Sequence, residues 1–144
     1  MKKTKLIFSA CLVLLVGCAT MSDVVKAKQE GKGTTKDYAV TDKQAWDISK
    51  AVFRWEGSDA IEEHRDEGYM LTSSGMNLVS YGTVMGAWVE KIDKNNTRVT
   101  VITKRKQKMN LATTLTESTF HKRFAQAAKI VKEGKPLPVK APKS

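Results

Sequence analysis

Two turn signals, each lying between strand-like segments, constrain the fold of this chain more than any other feature. The first pair of strand-like segments covers residues 58–65 and 69–74, with its turn at 66–68. The second pair covers residues 83–92 and 97–105, with its turn at 93–96. The turns read Asp-Glu-Gly and Asp-Lys-Asn-Asn, which is typical of β-hairpins. β-Branched residues dominate the last segment and favour a strand there. The sequence therefore predicts two hairpins and four antiparallel strands.

Amphipathic helices are predicted on both sides of the hairpins. The sequence contains two capping boxes, in each of which a threonine is followed three residues later by Gln or Glu. The pairs are Thr41 with Gln44 and Thr114 with Glu117. They open helices over about 42–55 and 115–133, and Gly134 is placed as the C-cap of the second. The apolar stripes at helical spacing are Ala45, Ile48, Val52 and Trp55 in the first helix, and Phe120, Phe124, Ala127 and Val131 in the second.

The order of these elements indicates the fold class. A short strand candidate at 36–40 comes first, which gives the order β-α-β-β-β-β-α. We therefore predict an α+β two-layer sandwich, with an antiparallel sheet of about four to five strands and two helices on one face. With 144 residues, 41% of them hydrophobic, the chain has room for one domain.

The first 18 residues have the parts of a secretory leader. Lys2, Lys3 and Lys5 give a positive start, and 6–16 is uncharged and mostly apolar. About eleven residues are too few to span a bilayer as a helix, which needs about 20. The leader ends in Leu-Val-Gly-Cys at residues 15–18.

This ending resembles the lipobox of bacterial lipoproteins. The resemblance implies that 1–17 is a signal peptide, that the Cys18 thiol carries a diacylglycerol, and that the new amino terminus is acylated. Ala19 stands where an Asp would imply retention in the inner membrane. The resemblance therefore implies the outer membrane, facing the periplasm, with the periplasmic face of the inner membrane or the cell surface as alternatives.

Lipidation would leave the mature chain without a free thiol. The chain has two cysteines, and Cys11 would leave with the leader. Three lysines leave as well, so the formal charge falls from +10 to about +7. With no thiol and two histidines, neither thiol catalysis nor a structural zinc site is expected, and we predict no cofactor and no metal.

The mature chain divides into three parts. Residues 18–36 are polar with two glycines, which predicts a lipidated tether that reaches roughly 25 Å as a coil and about 60 Å when extended. Residues 37–133 form the α+β domain. Residues 134–144 hold all three prolines and predict a disordered, extended Pro/Lys-rich tail.

The domain also resembles a known type. Gly-Tyr-Met-Leu-Thr at 68–72 and Thr-Arg-Val-Thr-Val at 97–101, between two helices, resemble small outer-membrane lipoproteins of unknown role. They also resemble the helix-grip domains of the accessory lipoprotein of the β-barrel assembly machine. That resemblance implies a non-enzymatic binding or assembly role and carries over no specific residue.

Basic residues cluster before the second helix and are the main site candidates. The candidate anion- or partner-binding residues are Lys104, Arg105, Lys106, Lys108, His121 and Arg123. A helix N-terminus next to basic side chains favours an anion, such as a lipid or glycan phosphate or an acidic protein surface. The alternative is that these charges only solubilise the surface. Aromatic stacking residues do not accompany the cluster, and nucleic acid is not expected.

The acidic counterpart is residues 56–67, which carry a net charge of −5. Glu62, His64 and Asp66 would share one strand face and could hold a divalent ion, although a solvated acidic surface is the simpler interpretation.

Catalytic motifs are absent from the sequence. Glu117 and His121 could pair on a helix, but they lack a nucleophile, and Ser73-Ser74-Gly75 is not a nucleophile elbow. We expect a non-enzymatic, lipid-anchored interaction module. The alternative is a carrier of an anionic or amphipathic envelope molecule, which would need a cavity lined by Trp46, Phe53 or Trp88.

Lipidation at Cys18 is directly testable. Cells fed a clickable fatty acid should label the wild-type chain and the Cys11→Ala variant, but not Cys18→Ala, because only the Cys18 sulfur receives the diacylglycerol. Equal label in wild type and Cys18→Ala, measured by gel fluorescence, would contradict the lipid anchor.

Overall fold

A computed structural model describes residues 19–74, 82–106 and 116–143. In chain order the elements are α1 (Met21–Gln29), β1 (Thr34–Tyr38), α2 (Asp42–Trp55), β2 (Ser58–His64), β3 (Tyr69–Ser74), β4 (Thr83–Lys91), β5 (Thr97–Arg105) and α3 (Glu117–Lys132). The prediction of an α+β fold is confirmed. Within the described ranges, no helix is both long and apolar enough to cross a bilayer.

The five strands form one antiparallel sheet in the order β1-β5-β4-β3-β2. The first predicted hairpin consists of β2 and β3, and the second consists of β4 and β5. Strand β1 pairs along β5, with Thr34 opposite Val101 and Tyr38 opposite Thr97. It begins two residues before the predicted strand at 36–40, because its register follows from pairing with β5 and not from local sequence.

The main core lies between one face of the sheet and helices α2 and α3. Phe53 of α2 and Phe120 and Phe124 of α3 are fully buried, and the Phe53 and Phe120 ring centroids are 5.3 Å apart. Val131 is partly buried against the same cluster. The predicted apolar stripe of α3 therefore faces the core, and the prediction of two helices on one face is correct.

Helix α1 covers the other face of the sheet, and this corrects the prediction of a tether over 18–36. Val24 is fully buried and packs with Leu71, Val84 and Ile102 from three strands. The indole of Trp88 lies so close to Gly86 that a Cβ there would be 2.6 Å from the ring. Helix α1 is thus part of the folded unit, and helices cover both faces of the sheet.

Local contacts at both ends of α1 explain why this segment is helical. The Asp23 carboxylate accepts a hydrogen bond of 2.7 Å from the Thr20 backbone N–H, which satisfies an unpaired donor of the first turn. After the helix, Gly33 has φ +109° and lies directly over β5. A Cβ on Gly33 would be 2.5 Å from the Ile102 side chain, so only glycine allows this close return into β1.

Two predicted boundaries change at the C-terminal end. The N-cap of α3 is Thr116, whose hydroxyl accepts from the Thr119 N–H at 3.1 Å, while Thr114 lies outside the described residues. The tail is predicted to be disordered over 134–144; its described part, 134–143, contacts the domain, since Leu137 is partly buried against the main core. Its Pro138 carbonyl accepts a hydrogen bond of 2.9 Å from the Trp55 indole N–H.

Removal of one buried ring tests this packing. Phe124→Ala should lower the free energy of unfolding by about 3–5 kcal/mol, because it removes a fully buried side chain and leaves a cavity. Urea and thermal melts would measure this loss, which is large for a domain holding about 5–15 kcal/mol. Lys122→Ala, on the exposed side of the same helix, is the control and should change stability by about 0.5 kcal/mol or less. Equal melting curves for all three proteins would contradict the packing of α3.

Candidate functional site: a basic cleft between α1 and β5

The end of β5 and the helix α1 enclose a cleft of about 430 Å³. Its lining residues are Ala19, Asp23, Lys26, Ala27, Glu30, Lys104, Arg105 and Lys106. Sheet pairing positions Lys104 opposite Val84 and Arg105 opposite Thr83, and the N–H of Lys106, directly after β5, donates to the Gly82 carbonyl at 3.2 Å. We refer to these lining residues as the basic cleft.

The carboxylates of the basic cleft already have partners. The Thr20 backbone N–H chiefly lowers the pKa of Asp23, and the Lys32 ammonium chiefly lowers the pKa of Glu30, with smaller contributions from Lys104 to both. Lys32 Nζ is 2.6 Å from Glu30 Oε2. By contrast, the side chains of Lys104, Arg105 and Lys106 form no hydrogen bond or close ion pair with any residue that the structure describes. Their charges are therefore available to an outside anion.

His121 does not belong to the basic cleft, although the sequence placed it with the basic candidates. It is buried between α3 and β1, where its Nε2–H donates to the Thr34 carbonyl at 2.9 Å. Nδ1 then accepts from the Tyr38 hydroxyl at 2.8 Å. Burial raises the pKa of Tyr38 to about 12 and lowers the pKa of His121. Both ring nitrogens of this neutral histidine are therefore used to tie α3 to the edge strand.

Arg123 is also engaged elsewhere. Its Nε donates to Glu56 Oε1 at 3.1 Å, and its Nη1 donates to the Pro142 carbonyl at 2.8 Å. The guanidinium therefore links α2, α3 and the C-terminal tail. Lys108 lies outside the described residues. Of the six predicted residues, the structure brings together Lys104, Arg105 and Lys106.

In the acidic hairpin formed by β2 and β3, the histidine contacts two glutamates of the same hairpin. His64 Nε2 is 2.5 Å from Glu62 Oε1, and its Nδ1 is 3.6 Å from Glu67 Oε1. Asp66 lies in the 3-10 turn (Arg65–Glu67) and not on the strand face that the sequence suggested. Among the described residues, no group of three His, Cys, Asp or Glu side chains is arranged to hold a metal ion.

Glu63, on the same strand, is paired across to α2. It accepts a hydrogen bond from Lys50 and one of 2.7 Å from the Trp46 indole N–H. These two bonds, Lys50 first, lower the pKa of Glu63 to about 2. Glu63 therefore fixes β2 to α2, while Glu62 and Glu67 contact His64 within the hairpin.

Sequence reasoning missed Lys26 and Ala19 as site residues because it treated their segment as a coil. The signals were present: Thr20 and Asp23 have capping spacing, and Met21, Val24 and Val25 lie at i, i+3 and i+4.

Comparison with family models, with curated proteins and with solved structures finds no match for this chain.

The buried His121 predicts a specific pH dependence of stability. Because burial lowers its pKa in the folded state, the unfolded chain takes up the proton first as the pH falls. The free energy of unfolding should therefore decrease below about pH 6.5, by up to about 1.4 kcal/mol per pH unit. The carboxylates with lowered pKa, such as Glu63, lose their contribution only below about pH 4.5.

Urea unfolding between pH 7.5 and 5.5 measures this slope. His121→Gln should flatten it, whatever its stability at neutral pH, because the titrating group is gone. His64→Gln, which changes the other histidine, is the matched control. A slope that His121→Gln leaves unchanged would show that another group is responsible.

Proposed function

We propose that this chain is a lipid-anchored interaction module of the bacterial cell envelope, without enzymatic activity, placed on the periplasmic face of the outer membrane. The lipobox-like Leu-Val-Gly-Cys at residues 15–18 carries this proposal. Two or three acyl chains on Cys18 would anchor far more strongly than a single chain, which holds only marginally. The role would be in envelope assembly or maintenance, through contact with another envelope protein.

The packing of the main core supports an interaction module over a carrier. The rings of Phe53, Phe120 and Phe124 follow one another at centroid distances of 5.3 and 6.0 Å, and Tyr38 lies 4.2 Å from Phe124. These rings fill the space between helices and sheet where a ligand would have to enter. Trp46 is buried at the edge of this core and bonded to Glu63, and Trp88 packs against α1.

A carrier of a small envelope molecule is the second candidate, and one surface feature favours it. A cleft of about 360 Å³ separates α2 from the C-terminal tail, with Ala51, Trp55 and Leu137 on its walls. That volume is at the lower end of the range for small-molecule pockets. Val139, on its rim, is 94% exposed.

Site-specific photo-crosslinking in intact cells distinguishes the two candidates. A photo-reactive residue at Ile92, which is 46% exposed in the turn farthest from the basic cleft, should yield a discrete protein adduct. The adduct should disappear in a Cys18→Ala background, because the unanchored protein leaves the membrane where its partner is concentrated. Adduct masses would be read by mass spectrometry.

The same reactive residue at Val139 is the companion experiment. Small-molecule adducts at Val139, with no protein adduct at Ile92, would favour the carrier and contradict the interaction module.

A further inference from the structure

We propose that the basic cleft binds the phosphates of anionic phospholipid headgroups in the membrane that holds the anchor, so that the domain rests on the bilayer. This inference rests on the proposed lipid anchor for its biological setting. It concerns the domain's own affinity for the surface, which is measurable without the anchor.

The position of the anchor relative to the basic cleft is the first argument. Ala19 is part of the cleft wall, and Cys18 is the preceding residue. Consecutive Cα atoms are about 3.8 Å apart, so an anchor on Cys18 would be attached one residue from the wall of the cleft. The cleft would then be within about one Debye length, roughly 8 Å, of the lipid headgroups.

Helix α1, which joins the position of the anchor to the sheet, is packed against the sheet. Val24 and Ala27 of α1 are 0% and 2% exposed against the sheet. The Lys32 N–H closes the helix by donating to the Ala27 carbonyl at 3.0 Å, and Gly33 then lies against Ile102. The segment that would have to uncoil to move the domain away is part of the fold.

The basic cleft carries a net positive charge. The basic cleft holds four basic side chains, Lys26, Lys104, Arg105 and Lys106, against the two carboxylates of Asp23 and Glu30. Glu30 is also neutralised by Lys32. The acidic turn between β2 and β3 begins about five residues along the strands from Arg105, or about 17 Å away, which is roughly two Debye lengths. An anionic surface would therefore attract the cleft end and leave the acidic turn facing away.

The test uses the mature chain from residue 18 with Cys18→Ser, so that acyl chains do not mask the affinity of the domain. This chain contains both apolar clusters, whose members all lie between Met21 and Leu137. A thermal melt confirms that each variant is folded. The probes are vesicles of phosphatidylcholine alone, vesicles with added phosphatidylglycerol, and inorganic phosphate.

Wild type should bind the phosphatidylglycerol vesicles at low salt, lose them at high salt, and ignore the neutral vesicles. Changing Lys104, Arg105 and Lys106 to Gln should weaken binding on the order of 100-fold, about fivefold for each charge near an anionic surface. The control changes Lys122, Lys129 and Lys132 to Gln, which removes the same charge from the exposed side of α3. It should stay within a few-fold of wild type.

Three results would overturn the inference. The first is that wild type does not bind anionic vesicles. The second is that both triple variants bind these vesicles equally weakly, which would mean that only net charge matters. The third is that inorganic phosphate binds with the same residue dependence while vesicles do not, which would make the cleft a site for a free anion. None of these results bears on the anchor, which fatty-acid labelling of Cys18 tests separately.

Discussion

The central strands carry apolar side chains on both faces, and the rest of the fold follows from covering them. In β5, Val99 and Val101 point to α2 and α3, while Ile102 points to the opposite side. In β4, Met85 likewise points to α2 and α3, and its neighbour Val84 points to the opposite side. A sheet with two apolar faces must be covered twice, because exposed apolar surface in water is unfavourable. Helices α2 and α3 cover one face, and α1 covers the other.

The parts of the fold that local chemistry determines could be predicted from the sequence. Helix α2 begins and ends where the capping pair and its apolar stripe indicated, and Thr41 and Gln44 form both bonds of the capping box. The strands of both hairpins agree within one residue. Helix α1 could not be predicted in this way, since nine residues are marginal as an isolated helix and gain their stability from the sheet. Consecutive apolar residues in β3 and β4 were the available signal, because strands of that kind are covered on both faces.

The candidate site was predictable only where its residues are neighbours in sequence. Lys104 and Arg105 end β5, Lys106 directly follows them, and the three stay together in the structure. His121 directly follows Phe120 and precedes Phe124 by three residues, so helical spacing already indicated a position near the core. Arg123 depends on Glu56 and on the Pro142 carbonyl, which are distant in sequence and can be placed only by tertiary structure.

The docking of α1 also determines how far such a protein could reach. A domain on an extended 18-residue segment would sample positions up to about 60 Å from its membrane. If Cys18 is acylated, the packing of α1 on the sheet would keep the farthest turn only about 30 Å from the membrane, the length of the nine residues of β5. The search for a partner would then become two-dimensional, within a layer one domain deep. A weak contact is sufficient in such a layer, because confinement raises the effective concentration of anything held on the same membrane.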